Sequence, residues 1–233
     1  YLYWNILDIG AARPDAPDRD RFVLSKGHAA PALFQVLAER GFYPKERLAS
    51  FGVNGSVFHE HPPAPGYLPG VEAATGSLGH GMPMALGMAL AARMTGMSYR
   101  SYALISDGEC NEGAIWEAAM LASAQEVDNL CVIVDFNGWQ ATGRSREVMQ
   151  LDPMEDKWKA FGWHVETIDG HDFSAMPEAF RACATTRGKP SVVIAHTVKG
   201  KGVSFMEDDN NWHYRIPDED ELRLALTELQ DHQ

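Results

Sequence analysis

The chain has 233 residues, 45% of them hydrophobic, enough for one substantial core. A formal net charge of −12 argues against nucleic acid or an anionic membrane as partner, because both select for basic surfaces. No apolar run approaches the ~20 residues of a membrane helix, and three cysteines without metal-type spacing (Cys110, Cys131, Cys183) suit a reducing cytoplasm.

In chain order, the first expected helix covers 31–40. The Pro- and Gly-rich run from Gly52 to Gly76 has no periodicity and reads as a long ordered loop, a type that is often functional. A helix is expected over 78–95, with Met82, Met84 and Met88 as packing residues. A strand follows over 102–106, then an Ala-, Glu- and Met-rich helix over 112–125 and an apolar strand over 130–136. Helices over 154–161, 173–186 and 218–229 alternate with strands over 164–168 and 191–195. Strands alternating with helices predict an α/β domain over 1–233, a mostly parallel sheet flanked by helices on both faces. The acidic runs at 207–209 and 218–220 read as a solvated loop and a helix start.

Asp107 and Asn137 carry the most information. Each lies just after a buried strand, in Ser106-Asp107-Gly108-Glu109 and Asp135-Phe136-Asn137-Gly138. A helix links the two strands, so the unit is a parallel crossover and both strands end on one sheet edge. Two oxygen ligands 30 residues apart therefore meet where α/β folds bind ligands. A carboxylate there suits Mg2+, usually shared with substrate phosphates. Gly108 lets backbone approach a phosphate, and the next helix offers amide groups to an anion. Asp-Gly and Asn-Gly are also common turns.

The Asp-Gly followed about thirty residues later by Asn resembles the thiamine diphosphate motif. Further stretches resemble the N-terminal, diphosphate-binding domain of transketolase: Ser25-Lys26-Gly27-His28, Ala74-Thr75-Gly76-Ser77-Leu78-Gly79, Phe161-Gly162-Trp163-His164, Asp169-Gly170-His171-Asp172 and Val198-Lys199-Gly200-Lys201-Gly202. The likeness is collinear from Tyr1 to the C-terminal end. It implies Mg2+ held through Asp107, Asn137 and Trp139. It implies thiamine diphosphate held by Lys26, His28, Gly76, Ser77, Leu78, Gly108, Glu109, Asn137 and Lys199, with Gly76 and Leu78 acting through backbone near the aminopyrimidine. The catalytic set it implies is His28, His61, His213 and Glu112, the glutamate belonging to a carboxylate network across a subunit interface. His164, His171 and His196 read as structural, and His59-Glu60-His61 lacks the further ligands that zinc needs.

The chain would hold only the first of three domains, without the pyrimidine-binding domain and its glutamate. The resemblance thus implies half a site, completed by a C-terminal transketolase subunit in a heterotetramer or larger, self-associating assembly. An N-terminal helix with a Gly-His segment would precede Tyr1, and the polar stretch over 217–233 fits a natural end. The implied reaction is two-carbon ketol transfer from a ketose, or its phosphate, to an aldose. Departures at His80, Glu60 before His61 and Tyr214 after His213 bear on the substrate funnel, and Ser106, His80 and Trp139 keep open a specialised thiamine-dependent ketol or acyl transferase of secondary or polysaccharide metabolism. The α-subunit of a 2-oxo acid dehydrogenase fits Ser25–His28 and Val198–Gly202 less well. A non-catalytic cofactor-binding subunit is the remaining alternative.

Overall fold

The computed structural model describes residues 1–231. Five parallel strands form the sheet: β1 (Arg21–Leu24), β2 (Ser101–Ser106), β3 (Leu130–Phe136), β6 (His164–Asp169) and β7 (Ser191–His196), in the spatial order β1-β2-β3-β7-β6. A two-stranded hairpin, β4 (Trp139–Gln140) and β5 (Gly143–Arg144), follows β3. The helices are α1 (Ala30–Glu39), α2 (Gly81–Thr95), α3 (Gly113–Ala124), α4 (Ser145–Val148), α5 (Met154–Ala160), α6 (Met176–Thr185) and α7 (Glu219–Asp231).

The central strands read as unbroken apolar runs because both faces of the sheet are covered. Ala103, Ile105, Val132, Val134 and Ile194 pack against α2, α3 and α5. Tyr102, Cys131, Ile133 and Val193 point the other way, against α1 and α6. Trp158 of α5 is fully buried, its ring 5.1 Å from that of Trp116 and 4.8 Å from that of Trp163. Each such side chain contributes about 1.5–3 kcal/mol by leaving water.

The chain steps in one direction from β1 through β3, then crosses to the far edge and returns to place β7 beside β3. The segments leaving β3 and β7 therefore start side by side at the carboxyl edge of the sheet. Open α/β sheets bind ligands at such a reversal.

Every expected helix and strand is present, with ends displaced by a few residues. The helix expected from 78 begins at Gly81, because Gly79 turns with φ of 85°. Gly52 to Gly76 holds no helix or strand and is anchored by buried Phe58 and Leu68. The Phe58 ring packs edge-on against Phe34 and Tyr43. Met82 is fully buried, but Met84 is 39% exposed, which corrects its reading as a packing residue: two positions on, a helical side chain has turned well away from the buried face. Strand β1 was not expected, since four residues are too few to show a period. No described helix is long and apolar enough to cross a membrane.

Candidate active site

Four strand ends deliver the site. The turn after β1 carries Lys26 and His28, the turn after β2 carries Asp107, and the segments after β3 and β7 carry Asn137 and Lys199. A cavity of about 1300 Å3 opens between them. Lys26, His28, Gly76, Leu78, Gly108, Glu112, Asn137, Trp139, Lys199 and His213 all reach its wall.

Two loops are locked together beneath the cavity. Thr75 Oγ1 donates to the Leu24 carbonyl at 2.6 Å. Gly27 lies so close to the next loop that a Cβ there would sit 2.5 Å from the Thr75 carbonyl oxygen. Glu109 is fully buried, accepting from Ser25 Oγ and, at 2.8 Å, from the Gly79 amide. The structure thus puts its side chain under the cavity, tying the β1 and α2 loops; burial raises its pKa. Its own amide donates to Ser106 Oγ at 3.2 Å. Ser77 is exposed in the turn between the two lining residues Gly76 and Leu78.

The positive end of the cavity comes from two lysines. Lys26 pairs with Asp135, whose other carboxylate oxygen accepts from Thr197 Oγ1. Burial pushes the Asp135 pKa up, but the Lys26 charge and these hydrogen bonds outweigh it and hold it low. Lys199 Nζ meets only neutral partners among the described residues, Asn210 Oδ1 at 3.2 Å and His213 Nδ1 at 3.1 Å. Burial first, then the nearby Lys26, lower its pKa. Asp107 and Asp135 act on Lys199 through space, but no carboxylate is in ion-pair contact among the described residues, which leaves the ammonium suited to an incoming anion. Gly200 makes the turn possible, with φ of 73° and no room for a Cβ, which would meet the Met206 carbonyl oxygen at 2.4 Å.

The histidines converge. The rings of His28 and His213 lie 5.4 Å apart. His61 borders Gly76, its Cδ2 3.2 Å from where a Cβ on that glycine would be. A lysine ammonium can only donate, so His213 Nδ1 accepts and the neutral ring carries its proton on Nε2. His28 has open surface toward the cavity, yet the enclosing walls strip much of its hydration. That desolvation, with the charges of Lys26 and Lys199 and the other two histidines, lowers its pKa to about 4. Both rings are therefore neutral at pH 7, able to donate from one nitrogen and accept at the other.

Asp107 is fully buried. Its Oδ1 accepts from the Gly108 amide at 2.8 Å, and its Oδ2 from the Gly138 amide at 2.9 Å and Ser145 Oγ at 2.8 Å. The bond to Gly138 puts the carboxylate beside Asn137, as the 30-residue spacing implies. Three donors on about four lone-pair positions leave room for a cation, and burial, the main influence on Asp107, raises its pKa in the absence of one. Among the described residues no three His, Cys, Asp or Glu side chains converge as a metal site. The oxygen donors here, Asp107, Asn137 and backbone carbonyls, are of the kind that could hold a hard cation together with phosphate or water. Trp139 could contribute only its backbone carbonyl, since an indole has no acceptor lone pair. Glu112 sits exposed at the start of α3 on the cavity rim.

Sequence reasoning did not single out Asp135, Ser145, Thr197 or Ser25, the layer that orients the lining residues. Asp135 had a visible signal, an acid ending an otherwise apolar strand. The others become meaningful only once strands distant in sequence are adjacent.

The family described as transketolase, thiamine diphosphate binding domain, matches residues 1–230. The chain is 41% identical over 228 residues to an apulose-4-phosphate transketolase subunit from Phocaeicola vulgatus, covering 98% of this chain and 80% of that one. It is also 41% identical over 229 residues to a 6-deoxy-6-sulfo-D-fructose transketolase subunit of a Clostridium species, covering 98% and 83%. Among solved structures, the Pichia stipitis transketolase complex with sedoheptulose-7-phosphate superposes with a TM-score of 0.89 at 27% identity, over 96% of this chain and 35% of that one. Leishmania mexicana transketolase gives 0.83 at 27% identity, over 99% and 39%. The chain thus spans well under half the length of these solved enzymes.

Proposed function

The chain belongs to the transketolase family, within its thiamine diphosphate-binding domain, and from that premise we propose that it is the small subunit of a split transketolase. The observation that carries this reading is the meeting of the buried Asp107 carboxylate with the Asn137–Gly138 turn, in a cavity whose wall also carries Lys199. Asp107, Asn137 and the Trp139 carbonyl would hold Mg2+. Lys26, His28 and Lys199 would face the diphosphate, with Gly108 allowing close approach and the Gly76–Leu78 backbone against the aminopyrimidine. Bound thiamine diphosphate supplies the electron sink that lets a carbon–carbon bond of a ketose break.

The chain's own residues bind, orient and move protons. His28 and His213, neutral at pH 7, would hold the ketose hydroxyl and carbonyl oxygens, with His61 at the rim, and pass protons as bonds to those oxygens change. Lys199 fixes the His213 tautomer. Glu112 would reach a second subunit through a carboxylate network. Donor and acceptor would be a ketose, or its phosphate, and an aldose. The partner would be a C-terminal subunit bearing the pyrimidine-binding domain, in a heterotetramer. A cytoplasmic location is consistent with three free, buried thiols.

Tyr214 supports a second reading on substrate. Its ring packs edge-on 4.8 Å from His213 and is 72% exposed, beside a histidine that would face substrate. A specialised ketose or acyl donor would meet this exposed ring next to His213.

Steady-state assays of two-carbon transfer test the proposal. Turnover requires this chain, its companion subunit, thiamine diphosphate and Mg2+ together, and His28→Ala lowers kcat by about 10²–10⁴-fold. Turnover by this chain alone, or none with the companion present, contradicts it.

A further inference from the structure

We propose that Arg144 and Asp208 are positioning residues, a clasp outside the cavity wall that holds the loop bearing Lys199 and His213 against the hairpin bearing Trp139. The roles of those three residues rest on the function proposed above; the clasp is a property of this chain. The two loops leave neighbouring parallel strands, β3 and β7, at the same edge of the sheet.

One carboxylate gathers three donors. Asp208 Oδ1 accepts from Trp139 Nε1 at 2.8 Å and from Arg144 Nη1 at 2.6 Å, while Oδ2 accepts from Arg144 Nη2. The same guanidinium lies over the Trp139 ring, 3.7 Å from its centroid. An isolated exposed ion pair does little, but a two-pronged bond backed by ring stacking is geometrically specific. Asp208 sits at φ of 57°, a conformation that aspartate tolerates better than most side chains.

Backbone and side-chain bonds carry the constraint into the site. The Asp208 amide donates to the Lys199 carbonyl at 2.8 Å. Asn210 Nδ2 donates to the Ala141 carbonyl at 3.1 Å, and Asn210 Oδ1 accepts from Lys199 Nζ at 3.2 Å. Three residues further on, His213 Nδ1 takes the second bond from Lys199. Without the clasp, the single Asn210–Ala141 bond would be left to tie this loop to the hairpin, so Trp139 and Lys199 would hold their common register less firmly.

The test uses the assembled enzyme with its companion subunit, carrying Asp208→Asn, Arg144→Gln or both. The clasp predicts that each single variant binds thiamine diphosphate with Mg2+ about tenfold more weakly, as loss of an orienting outer partner does. The double variant should be no worse than either single, because the two residues act as one unit. Amides over 199–213 should exchange hydrogen faster in the unliganded chain, while its Tm stays put. Affinity within twofold of the parent, additive losses, or a Tm that falls with affinity would each overturn the clasp. Should the parent enzyme fail to bind thiamine diphosphate, the functional reading falls, and the exchange rates over 199–213 still decide the clasp.

Discussion

Replacing Asp107 by alanine is expected to remove Mg2+-dependent binding of thiamine diphosphate and, with it, turnover. The carboxylate has no exposed surface and receives the Gly108 amide, the Gly138 amide and the Ser145 hydroxyl. Truncation removes the acceptor from all three donors, the Ser145 hydroxyl buried and the two amides part-buried. Each buried, unpaired donor costs about 1–3 kcal/mol, so the chain itself should lose stability on the order of 3 kcal/mol. The affinity loss should be larger still. Removing a partner that merely orients a metal ligand costs about 10–100-fold, and removing a ligand should exceed that range. Asp107→Asn separates the two effects. It preserves shape, but its amide nitrogen must face a backbone N–H on one side or the other, donor against donor. We expect a folded chain with cofactor affinity reduced by at least about 100-fold. Thermal denaturation read beside calorimetric titration distinguishes the two variants, and near-parental affinity in Asp107→Asn would remove Asp107 from the metal site.

The second large effect is expected at Gly27, through space alone. A methyl group there would approach the Thr75 carbonyl oxygen at 2.5 Å, its carbon at 2.6 Å and the Gly76 nitrogen at 2.8 Å. These are backbone atoms, so no rotamer change relieves the contact. The Thr75–Gly76 loop must move, and its bond from Thr75 Oγ1 to the Leu24 carbonyl must stretch. Overpacking of this kind costs about 1–3 kcal/mol. Because Gly76 and Leu78 form the next part of the cavity wall, the displacement also reaches the site. Gly27→Ala should therefore lower Tm and weaken thiamine diphosphate binding together. Gly87→Ala, within α2 and with nothing within 4 Å of the new methyl group, is the control: it should leave binding unchanged and raise Tm slightly, since alanine suits a helix interior better by about 0.5–1 kcal/mol.

Most of the sheet was legible in the sequence because parallel strands buried on both faces have a composition of their own. Tyr102-Ala103-Leu104-Ile105 and Leu130 to Val134 could be little else. The meeting of Asp107 with Asn137 was legible for the same reason, since a crossover of known hand fixes where both strands end. Strand β1 was not, because Arg21–Leu24 becomes a strand by pairing with β2 rather than by its own pattern. The role of Glu109 was hidden too. The resemblance places it among the cofactor-binding residues, while the tie of its side chain to Ser25, 84 residues earlier, is visible only in the fold. The clasp was hidden most completely. Asp208 belongs to an acidic run that looks like a solvated loop, and only the closeness of the β3 and β7 ends gives it Arg144, 64 residues away.

The most direct measurement is calorimetric titration of thiamine diphosphate with Mg2+ into this chain, alone and with its companion subunit. The half-site account predicts weak or no heat with the chain alone and tight, Mg2+-dependent binding once the companion is present. Equal, tight binding in both cases would contradict a site shared between subunits, and no binding in either would remove the cofactor from this chain.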